Sequence, residues 1–576
     1  MNNDKDEKYT GLNRRDFIKA TGIGVAALSF GGAGLIYNSK PVSAATLSNE
    51  QIDTDILVVG GGIAATFAAL KARESGLDVT MADKGRVGKS GLSPYWSGIT
   101  VFDAERGDSK EEIMEGVAQT EEYLGNRTYT DLWIKHSKKC HEEMVSFGMF
   151  GPVGKNRGPA RRKELENKGV RLIERTMITS LLTKDGRVVG AMGFPMEEEE
   201  KAIVINAKAV IMAAGSGTFK TPGWPGHSLT HDGDAMAYRV GAEITGKEFV
   251  DYHVTNAGDP GGFGVTQGGG LRVGNLSDRV GINNTRPQLS SDMAAHAGNY
   301  PAMRSGSDEE GRGSSESTEA RPRMVAVGGS AAGMSPHDCE GVVPQNDRCE
   351  SSVPGLYAAG DGLCTSGACY GIGGGSSSMS AVQGAVAGVS AAEYAKGVKK
   401  AVASSSDIDK AKMEMFGPRQ RKQGFSPRWV TQVLQGIMVP YYVLSVKHEQ
   451  RLKAALSTIE FLRDQFGDNL LANDIHELRL AHETENMLLN AEMRLKAGLF
   501  RTESRSSHFR EDYPARDDDS WLAWVIIKAD GSEMKLTKRP IPDEWKPSAK
   551  LSYKERYPVT RFLGEEEYLK GKGITL

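Results

Sequence analysis

The sequence predicts an α/β fold with a parallel central sheet, and three stretches carry that prediction. Residues 55–59 form an apolar run that ends in a Gly-x-Gly-x-x-Ala turn and continues into an Ala-rich stretch, as a strand followed by a helix does. Residues 209–215 and 355–361 each have the pattern of a short buried strand that ends in small residues. Buried strands separated by helical patterns are typical of a Rossmann-like sheet.

The glycine turn predicts a bound dinucleotide. Gly60 allows a tight turn, Gly62 lets backbone N–H groups approach a pyrophosphate, and Ala65 lets the helix pack close to the strand. The start of that helix presents unsatisfied N–H groups and the positive end of its dipole to the phosphates. Asp83 lies eighteen residues after Ala65, at the end of the next strand, where an acid holds ribose hydroxyls. The alternative is a glycine turn without a ligand.

Composition excludes one class of function. The 576 residues correspond to roughly three or four domains. The formal net charge is only -3, so no overall electrostatic attraction favours nucleic acid. The basic run Arg161-Arg162-Lys163 is short and predicts a solvated surface, and the acidic run at 197–200 predicts the tip of a β-hairpin.

The N-terminal segment predicts export. Arg14 and Arg15 precede a weakly apolar, Gly- and Ala-rich stretch over residues 20–37, and Val42-Ser43-Ala44 offers a small-residue cleavage site. This arrangement is typical of a twin-arginine signal, here residues 1–44, and predicts a periplasmic location. That route carries folded proteins, which suits a chain that takes up a cofactor before export. The alternative is a single membrane anchor that is not cleaved.

The cysteines predict neither a disulfide framework nor a redox cluster. Their number is odd and their spacing is scattered, at Cys140, Cys339, Cys349, Cys364 and Cys369. The sequence contains no CxxCH or CxxC run, so it predicts no attached c-type haem, no iron–sulfur cluster and no metal site. A redox reaction in this chain therefore needs a separate electron-transfer partner.

Composition also changes along the chain and predicts its domains. Residues 53–243 and 321–400 form a discontinuous nucleotide-binding domain, because apolar strand patterns occur on both sides of a polar stretch. That stretch, residues 244–320, is rich in Gly, Asn, Ser and Arg and predicts an inserted α+β capping domain. Residues 407–500 carry apolar residues at helical spacing, which predicts a helical domain packed on the main body, and residues 501–576 form a C-terminal tail.

Six further motifs point to one family. In chain order they occupy residues 90–99, 213–217, 232–237, 355–361, 374–378 and 501–518. Together they resemble the flavoprotein subunits of the fumarate reductase and succinate dehydrogenase superfamily, with features similar to adenylylsulfate reductase α subunits. The resemblance covers most of the chain after its N-terminal segment. It implies a glutathione-reductase-type FAD domain and an FAD-dependent oxidoreductase that acts on CH–CH bonds.

The resemblance implies a set of cofactor-binding residues. They are Gly60, Gly62, Ala65, Asp83, Lys84, Ser90, Gly91, Gly98, Ala214, Gly215, Asp232, Asp361, Ser376 and Ser377. Within this set, the carboxylate of Asp361 is expected to hold the ribityl chain. In succinate dehydrogenases a histidine of the flavin segment is linked covalently to the flavin. Gly91 occupies that position here, so the resemblance implies noncovalent FAD.

The substrate pocket departs from the family pattern. His253 matches one of the two family histidines, and Thr266 stands where the family has a threonine. The second histidine is replaced by residues 324–327, and the arginine that clamps the substrate carboxylate is replaced in residues 366–372, which include Cys369 and Tyr370. A bidentate guanidinium–carboxylate pair sets affinity and orientation together. Its loss predicts a substrate other than fumarate or succinate.

The expected catalytic set is His253, Thr266 and one arginine of the insert. Arg304 is one candidate for that arginine, together with Arg272, Arg279 and Arg286. The alternative for His253 is an interior histidine with a structural role. Cys364 and Cys369 flank the expected flavin site, and small buried thiols are the simpler interpretation of both.

Three functions remain open from the sequence. The first is an exported FAD oxidoreductase that transfers a hydride between flavin and a C=C or CH–CH bond of a small organic molecule. It would exchange electrons with a periplasmic cytochrome or an iron–sulfur protein, and through that partner associate peripherally with a membrane. The second is the flavoprotein subunit of a sulfur-oxyanion redox complex. The third is a flavin electron-transfer subunit without a catalytic site of its own.

Overall fold

A computed structural model describes most of the chain on both sides of the expected capping domain. The described residues are 36–89, 91–94, 99–150, 157–197, 200–215, 217–220, 228–249, 251–254, 334–337, 341–365, 375–439, 441–444, 446–506, 508–557 and 565–576. The expected signal up to residue 35 and most of the capping domain therefore lie outside the described residues.

The described residues form nineteen strands and fifteen α-helices. The strands are β1 (Ile36–Asn38), β2 (Asn49–Asp53), β3 (Ile56–Val59), β4 (Val79–Asp83), β5 (Arg171–Glu174), β6 (Thr176–Lys184), β7 (Arg187–Pro195), β8 (Ala202–Asn206), β9 (Ala209–Met212), β10 (Ile244–Thr245), β11 (Asp251–Val254), β12 (Met334–His337), β13 (Gly341–Val342), β14 (Leu356–Ala358), β15 (Gln423–Phe425), β16 (Val446–Lys447), β17 (Phe509–Arg510), β18 (Ala523–Asp530) and β19 (Glu533–Pro540). The helices are α1 (Ile63–Glu74), α2 (Lys110–Thr120), α3 (Arg127–Ser146), α4 (Arg157–Asn167), α5 (Asp232–Arg239), α6 (Gly375–Gly397), α7 (Ser405–Met415), α8 (Gly417–Gln420), α9 (Pro427–Met438), α10 (Tyr441–Leu444), α11 (Glu449–Phe466), α12 (Ile475–Phe500), α13 (Asp518–Trp521), α14 (Tyr553–Arg556) and α15 (Glu565–Gly571).

A parallel five-stranded sheet forms the centre of the nucleotide-binding part. Its strand order is β14-β9-β3-β4-β5, and every neighbouring pair is parallel. The residues of β3 and β9 are buried throughout, as expected for strands covered on both faces. Because β14 follows the expected insert in sequence, the sheet combines strands from both sides of residues 244–320. The predicted fold class, an α/β protein with a discontinuous Rossmann-like domain, is confirmed.

Helices α1 and α6 pack closely against each other beside this sheet. The backbones come so near that a Cβ at Gly384 would collide with the carbonyl oxygen of Ala64, and one at Gly388 with that of Ala68. Small side chains on both helices permit this distance, since much of α1 is alanine. This close contact between α1 and α6 fixes the start of α1, which follows the glycine turn.

A second sheet has the order β2-β8-β7-β6. Strands β7 and β8 are antiparallel neighbours, so Glu197 and Glu200, the described ends of the acidic run, lie in a hairpin connection. Ahead of this sheet, β1 pairs with β15, and the backbone N–H of Val42 donates to the carbonyl of Arg419 at 2.9 Å. Ala44 is fully buried, so the residues around the expected cleavage site pack on the body of the protein.

The C-terminal half contains the predicted helical region and a β-hairpin. Leu452, Ile459 and Leu462 of α11 are buried and pack in one core with apolar residues of α9 and α12, which confirms the helical face read from the sequence. Strands β18 and β19 form a long antiparallel hairpin that joins β10 and β13 in a four-stranded sheet. Within the described part of the chain, no helix combines the length and apolar character that a membrane crossing requires.

Candidate functional site

The glycine turn forms the expected anion cradle. Gly60 has a φ of 121°, and a Cβ there would collide with the carbonyl oxygen of Ala213, so only glycine fits. Gly62 is the residue that caps the start of α1. The hydroxyl of Ser93 accepts a hydrogen bond from the backbone N–H of Ile63 at 3.1 Å and thus fixes the loop near the start of the helix. The glycine turn leaves the backbone at the start of α1 uncovered by side chains. A pyrophosphate can therefore approach the N–H groups of this helix start closely.

The turn opens into a cleft of about 380 Å³ that brings most of the predicted cofactor residues together. The predicted residues in its wall are Gly60, Gly62, Asp83, Lys84, Gly91, Ala214, Gly215, Asp232 and Asp361. They come from six separate stretches of sequence, and the parallel sheet places them at one end of its strands. The remaining wall includes backbone and apolar side chains of Met177, Ile178 and Met196, which offer an apolar surface for a planar ring.

The other predicted cofactor residues have different places. Ala65 is fully buried, in keeping with its expected role in close packing of helix and strand. Ser376 and Ser377 lie in the first turn of α6; Ser377 is half-buried, and the side chain of Ser376 is not described. Ser90 and Gly98 lie outside the described residues.

Asp83 lies beside the glycine turn and is almost fully buried. A Cβ at Gly61 would come within 2.5 Å of its carboxylate, so the acid and the turn are in direct proximity. The backbone N–H of Gly85 donates to the same carboxylate at 3.3 Å. This is the geometry expected for an acid that receives ribose hydroxyls at the end of β4.

The prediction that Arg161 belongs to a solvated surface is wrong. Its side chain is fully buried in α4, whereas Arg162 is half-buried and Lys163 exposed. None of the three guanidinium nitrogens of Arg161 has a hydrogen-bond partner among the described residues. Burial lowers the pKa of Arg161 to about 10, although the charge of Asp83 opposes this shift. Helix geometry explains the error, because consecutive residues of a helix face different directions.

Lys84 and Asp232 belong to an ionic cluster on one side of the cleft. The Lys84 ammonium donates to Asp232 at 2.6 Å, to Thr230 at 2.9 Å and to Glu483 at 3.0 Å. Burial alone would lower the pKa of Lys84, but the charges of Asp232 and Glu483 outweigh it and raise that pKa. Asp232 also accepts a hydrogen bond from the amide of Asn486 at 2.8 Å, so α12 is tied to the cofactor cleft.

Glu483 of α12 is the centre of this cluster. Its carboxylate is fully buried and accepts hydrogen bonds from Lys220 at 2.8 Å and from Arg479 at 2.8 and 3.0 Å, besides that from Lys84. Burial opposes ionisation, yet the three cations lower the pKa of Glu483 to about 2. The carboxylate is therefore ionised throughout the physiological pH range.

A second buried polar group lies behind the cleft. His231 precedes α5 with a φ of 61°, and its ring nitrogens have no hydrogen-bond partner among the described residues. The Nδ1 atom is 3.6 Å from the carboxylate of Asp234, which accepts a hydrogen bond from Lys247 at 2.7 Å. Burial lowers the pKa of His231 to about 3, although Asp234 opposes this shift. The imidazole is therefore neutral at physiological pH.

The predicted catalytic residues fall largely outside the described residues. His253 lies in β11, paired with Ser335 of β12, but its side chain is not described. Thr266, Arg304 and the other three candidate arginines lie in the 255–333 gap, and Cys369 and Tyr370 in the 366–374 gap. Their roles stay predictions.

The described cysteines have the character of interior residues. Cys140, Cys349 and Cys364 are buried and unbonded to one another. Burial raises the pKa of the Cys140 and Cys349 thiols to about 12, which leaves both protonated and unreactive at neutral pH. The described part of the chain holds no cluster of three or more His, Cys, Asp or Glu side chains that suits a metal ion.

A second cavity of about 330 Å³ lies close to the chain beyond Asp361. Cys364 and Thr365 line it on one side, and Trp524 and Trp545 on another, with their rings 6.0 Å apart. The guanidinium of Arg539 also lines this cavity, but it donates to both oxygens of Glu243, at 2.9 and 2.8 Å.

Sequence reasoning missed several residues of the cofactor cleft. Ser93, His476 and Arg479 contribute to its wall, and Glu483 holds three cations beside it. Ser93 lies within the flavin-segment motif, so the motif itself could have indicated it. No local signal marks the three residues of α12, because their role depends on docking against residues nearly four hundred positions away.

Comparisons with known proteins agree with this geometry. Two family models match the chain: "Pyridine nucleotide-disulphide oxidoreductase" over residues 54–247, and "Fumarate reductase flavoprotein C-term" over residues 432–556. The first spans the glycine turn, Asp83 and Asp232. The second spans most of α9 to α14, including the Arg501–Asp518 motif.

Relatives and solved structures extend over most of the chain. An uncharacterized FAD-dependent oxidoreductase of Methanocaldococcus jannaschii is 28% identical over 82% of this chain and 96% of its own length. A CoM/CoB fumarate reductase subunit of Methanothermobacter marburgensis is 25% identical over 84% of this chain and 98% of its own length. The structure of adenylylsulfate reductase from Archaeoglobus fulgidus superimposes with a TM-score of 0.68 at 20% identity, covering 89% of this chain and 99% of that one, which shows a shared fold.

The residues of the cleft fit an FAD. The glycine cradle suits its pyrophosphate, Asp83 its ribose, and the small residues at 214–215 and 360–362 leave room for close backbone approach. The expected FAD cofactor is thereby confirmed at the level of the family. The relatives of this chain are thus FAD-dependent flavoproteins of the fumarate reductase, succinate dehydrogenase and L-aspartate oxidase type.

Proposed function

We propose that this protein is an exported oxidoreductase that transfers a hydride between FAD and a C=C or CH–CH bond of a small organic substrate other than fumarate or succinate. The observation that carries the proposal is the FAD cleft, supported by the match of the C-terminal part of the chain to the fumarate reductase flavoprotein model. FAD supplies a ring that accepts or releases the hydride. With Gly91 in the flavin segment, the cofactor is bound noncovalently.

In this proposal, one set of residues binds the cofactor and another set binds the substrate. The glycine turn and Asp83 hold the cofactor at its nucleotide end, far from the reacting bond. Asp361 holds the ribityl end in the same cleft. His253, Thr266 and an arginine of the insert, Arg304 among the candidates, orient the substrate and deliver the proton.

The second cavity supports a substrate that is less acidic than a dicarboxylate. Of the described residues, its walls offer two tryptophans and Phe249 beside the carboxylates of Glu248 and Asp347, and the guanidinium of Arg539 is already neutralised by Glu243. Such a surface favours planar or apolar molecules, because aromatic faces contribute most of their binding through contact area. It lies next to Cys364 and Thr365, which lead into the altered loop at 366–372.

An anaerobic reoxidation screen tests the reaction. The purified holoprotein is reduced with dithionite, excess reductant is removed, and candidate enoates, aryl acrylates and ketosteroid enones are added while the flavin absorbance is followed. At least one unsaturated compound should reoxidise the flavin, and its saturated analogue, the matched control, should not. Reoxidation by sulfur oxyanions alone would favour the sulfur-oxyanion complex. Reoxidation only by a cytochrome or an iron–sulfur protein would favour an electron-transfer subunit.

Electrons reach this chain from a separate protein in our proposal. The related M. marburgensis protein is itself designated a subunit, which supports a partner here. We propose a periplasmic cytochrome or a small iron–sulfur protein, through which the complex associates peripherally with a membrane. Affinity purification of the tagged full chain from its periplasm, followed by haem staining and iron analysis, tests this. Recovery of the flavoprotein alone would contradict it.

Export is proposed from Arg14 and Arg15 and the stretch that follows them. Fractionation of cells that express the full chain should place it in the periplasm, and an R14K/R15K variant should remain inside. N-terminal sequencing of the exported protein locates the cleavage. Cleavage after Ala44 removes β1, which pairs with β15, so the mature protein then lacks that strand. An intact N-terminus would instead favour the membrane-anchor alternative.

A further inference from the structure

Helix α12 contributes two residues to the wall of the FAD cleft. His476 and Arg479 lie in its first turns and line the same cavity as Asp83, Lys84 and the glycine turn. The helical region is otherwise a packed bundle, and its sequence gives no sign of a ligand. The two polar side chains at the cleft are therefore an exception in a helical region that otherwise serves for packing.

Arg479 is held in a fixed position. Its Nη1 atom donates to both carboxylate oxygens of Glu483, one helical turn further along, at 2.8 and 3.0 Å. Glu483 is fully buried, whereas 19% of the Arg479 side chain remains exposed. The other terminal nitrogen, Nη2, lies 3.5 Å from both ring nitrogens of His476, the second residue that α12 contributes to the wall. A guanidinium held in this way contacts a ligand at low entropic cost.

Glu483 also fixes two lysines of the FAD domain. Lys84 donates to one of its oxygens at 3.0 Å and Lys220 to the other at 2.8 Å. Three cations (Lys84, Lys220, Arg479) thus surround two carboxylates (Glu483, Asp232), which gives this cluster, at one side of the cleft, a formal charge of +1. An anionic group bound in the cleft offsets that charge.

We propose that α12 completes the FAD site at its nucleotide end, with Arg479 contacting the AMP half of the cofactor and Glu483 acting as the positioning residue for Arg479 and Lys84. Arg479 is linked to the adenosine side of the cleft through Glu483, which also accepts a hydrogen bond from Lys84, the residue that follows Asp83. A guanidinium suits this half of FAD because it pairs with phosphate oxygens and stacks on planar rings. The inference requires FAD as the cofactor and does not depend on the substrate.

The proposal makes FAD binding and the docking of α12 reciprocal. If α12 supplies contacts to the cofactor, then bound FAD stabilises the docked helix by the same free energy. Loss of FAD should accordingly loosen the start of α12 before it affects the distant core around α11. This consequence distinguishes a cofactor contact from a helix that is merely near the cleft.

Binding measurements on two arginine variants test the contact. R479M is compared with R428M, which removes the same charge from an exposed position on the neighbouring helix α9 and outside the cleft wall. Apoprotein is titrated with FAD and with FMN, and flavin fluorescence gives the Kd. We expect R479M to raise the Kd for FAD about tenfold and leave that for FMN unchanged, since FMN lacks the AMP half. R428M should stay within twofold of wild type for both ligands.

A double-mutant cycle tests the positioning role. If Glu483 acts through Arg479, the losses in FAD affinity from E483Q and R479M should be much less than additive. Additive losses, or an R479M variant that binds FAD like wild type, would overturn the proposal.

Hydrogen exchange on the unmodified chain gives a test that does not depend on variants that fold. Addition of FAD to the apoprotein should slow exchange of the amides at 475–486 at least fivefold, with little change at 452–462 of α11. Equal exchange with and without FAD at 475–486 would also overturn the proposal. Failure of the substrate screen leaves these results unaffected, so the two hypotheses fail separately.

Discussion

Two residues with left-handed backbone conformations show how differently this protein uses that conformation. Gly60 has a φ of 121° and makes the pyrophosphate turn, where no side chain fits. His231 has a φ of 61° although it carries a full imidazole, which costs about 1 kcal/mol or more in backbone strain. Its ring packs against Gly217 and Phe219 and is fully buried. At the first position the conformation makes a turn, and at the second it directs a side chain into the interior.

The buried imidazole of His231 predicts acid sensitivity. Burial lowers its pKa from 6.5 to about 3 in the folded protein. Below pH 6.5 the unfolded chain therefore binds a proton that the folded chain does not, and the free energy of unfolding falls by up to about 1.4 kcal/mol per pH unit toward pH 3. Replacing the histidine by Asn, which tolerates this backbone conformation, should remove that part of the pH dependence.

Urea unfolding of wild type and H231N at pH 7, 6 and 5 measures the effect. The free-energy difference between the two proteins should shift in favour of H231N as the pH falls. The half-buried His141 offers a control, and H141N should follow the wild-type pH profile. An H231N protein with the same pH dependence as wild type would contradict the prediction.

The buried guanidinium of Arg161 predicts opposite effects on stability and on cofactor binding. A buried charge without a hydrogen-bond partner among the described residues destabilises the fold, so R161M should stabilise the apoprotein by about 1–3 kcal/mol. The same change removes a positive charge that favours ionised Asp83, and the Kd for FAD should rise severalfold. R162M is the matched comparison on the same helix, since Arg162 pairs with Glu166 at 2.9 Å and with Glu174, so its loss should not stabilise the apoprotein. A loss of both stability and affinity would argue against this account.

At the scale of secondary-structure elements, close helix packing positions the cofactor site. Helix α1 begins at the glycine turn and is held by α6, whose glycines meet the carbonyl oxygens of Ala64 and Ala68. Helix α12 is held differently: Glu483 and Asn486 tie it to the FAD cleft through ionic and amide contacts with Lys84 and Asp232. The first contact depends on the absence of side chains and the second on long polar ones.

A methyl group at Gly388 should push α1 and α6 apart. The added Cβ meets a backbone carbonyl, which has no freedom to move aside as a flexible side chain has. We expect G388A to destabilise the protein by about 1–3 kcal/mol and to weaken FAD binding, because the start of α1 shifts with the helix. G397A, near the end of the same helix with open space around it, should be neutral or slightly stabilising. Thermal unfolding with and without FAD checks both; equal melting temperatures would contradict the prediction.

At the scale of the whole molecule, buried arginines join the C-terminal segment to distant parts of the chain. Arg516 donates to both oxygens of Glu122, at 2.9 and 2.6 Å, and Arg501 donates to Glu248 at 3.0 Å. Both guanidinium groups are almost fully buried. His508 contributes as well, with its ring nitrogens 3.1 and 3.3 Å from backbone carbonyls of Glu248 and Arg501. These contacts brace the C-terminal tail against the main body.

Removal of one partner from this network of buried ion pairs should destabilise the protein strongly. R516M leaves the carboxylate of Glu122 buried and without its bidentate partner, so the free energy of unfolding should fall by about 3–5 kcal/mol. The double variant R516M/E122Q should recover part of that loss, because the uncompensated charge is gone. K546M, which breaks an exposed pair with Asp543, should leave the free energy of unfolding close to that of wild type. Urea unfolding measures all three, and a small effect of R516M would contradict the argument.

The sequence alone determined the cofactor and the strands of the nucleotide-binding part. Glycines at required turns, apolar runs at strand spacing and an acid at the end of β4 are local signals, because each reflects the backbone or burial of a few neighbouring residues. That is why Gly60 and Asp83 are assignable from the pattern itself, whereas Asp232 and Asp361 follow from the resemblance to a known family; the folded chain places all four in the wall of one cleft.

Only the tertiary structure decided which charged residues lie in the interior. Arg161 belongs to a basic run that predicts a solvated surface, yet it is fully buried. Glu483 lies in an ordinary helical pattern, yet it binds cations of the FAD domain. The burial of a charge depends on partners far away in sequence, as Lys84 and Glu483 illustrate. Hydrophobic periodicity carries no information about such pairs, so the wall that α12 contributes to the FAD cleft emerges only when the chain is folded.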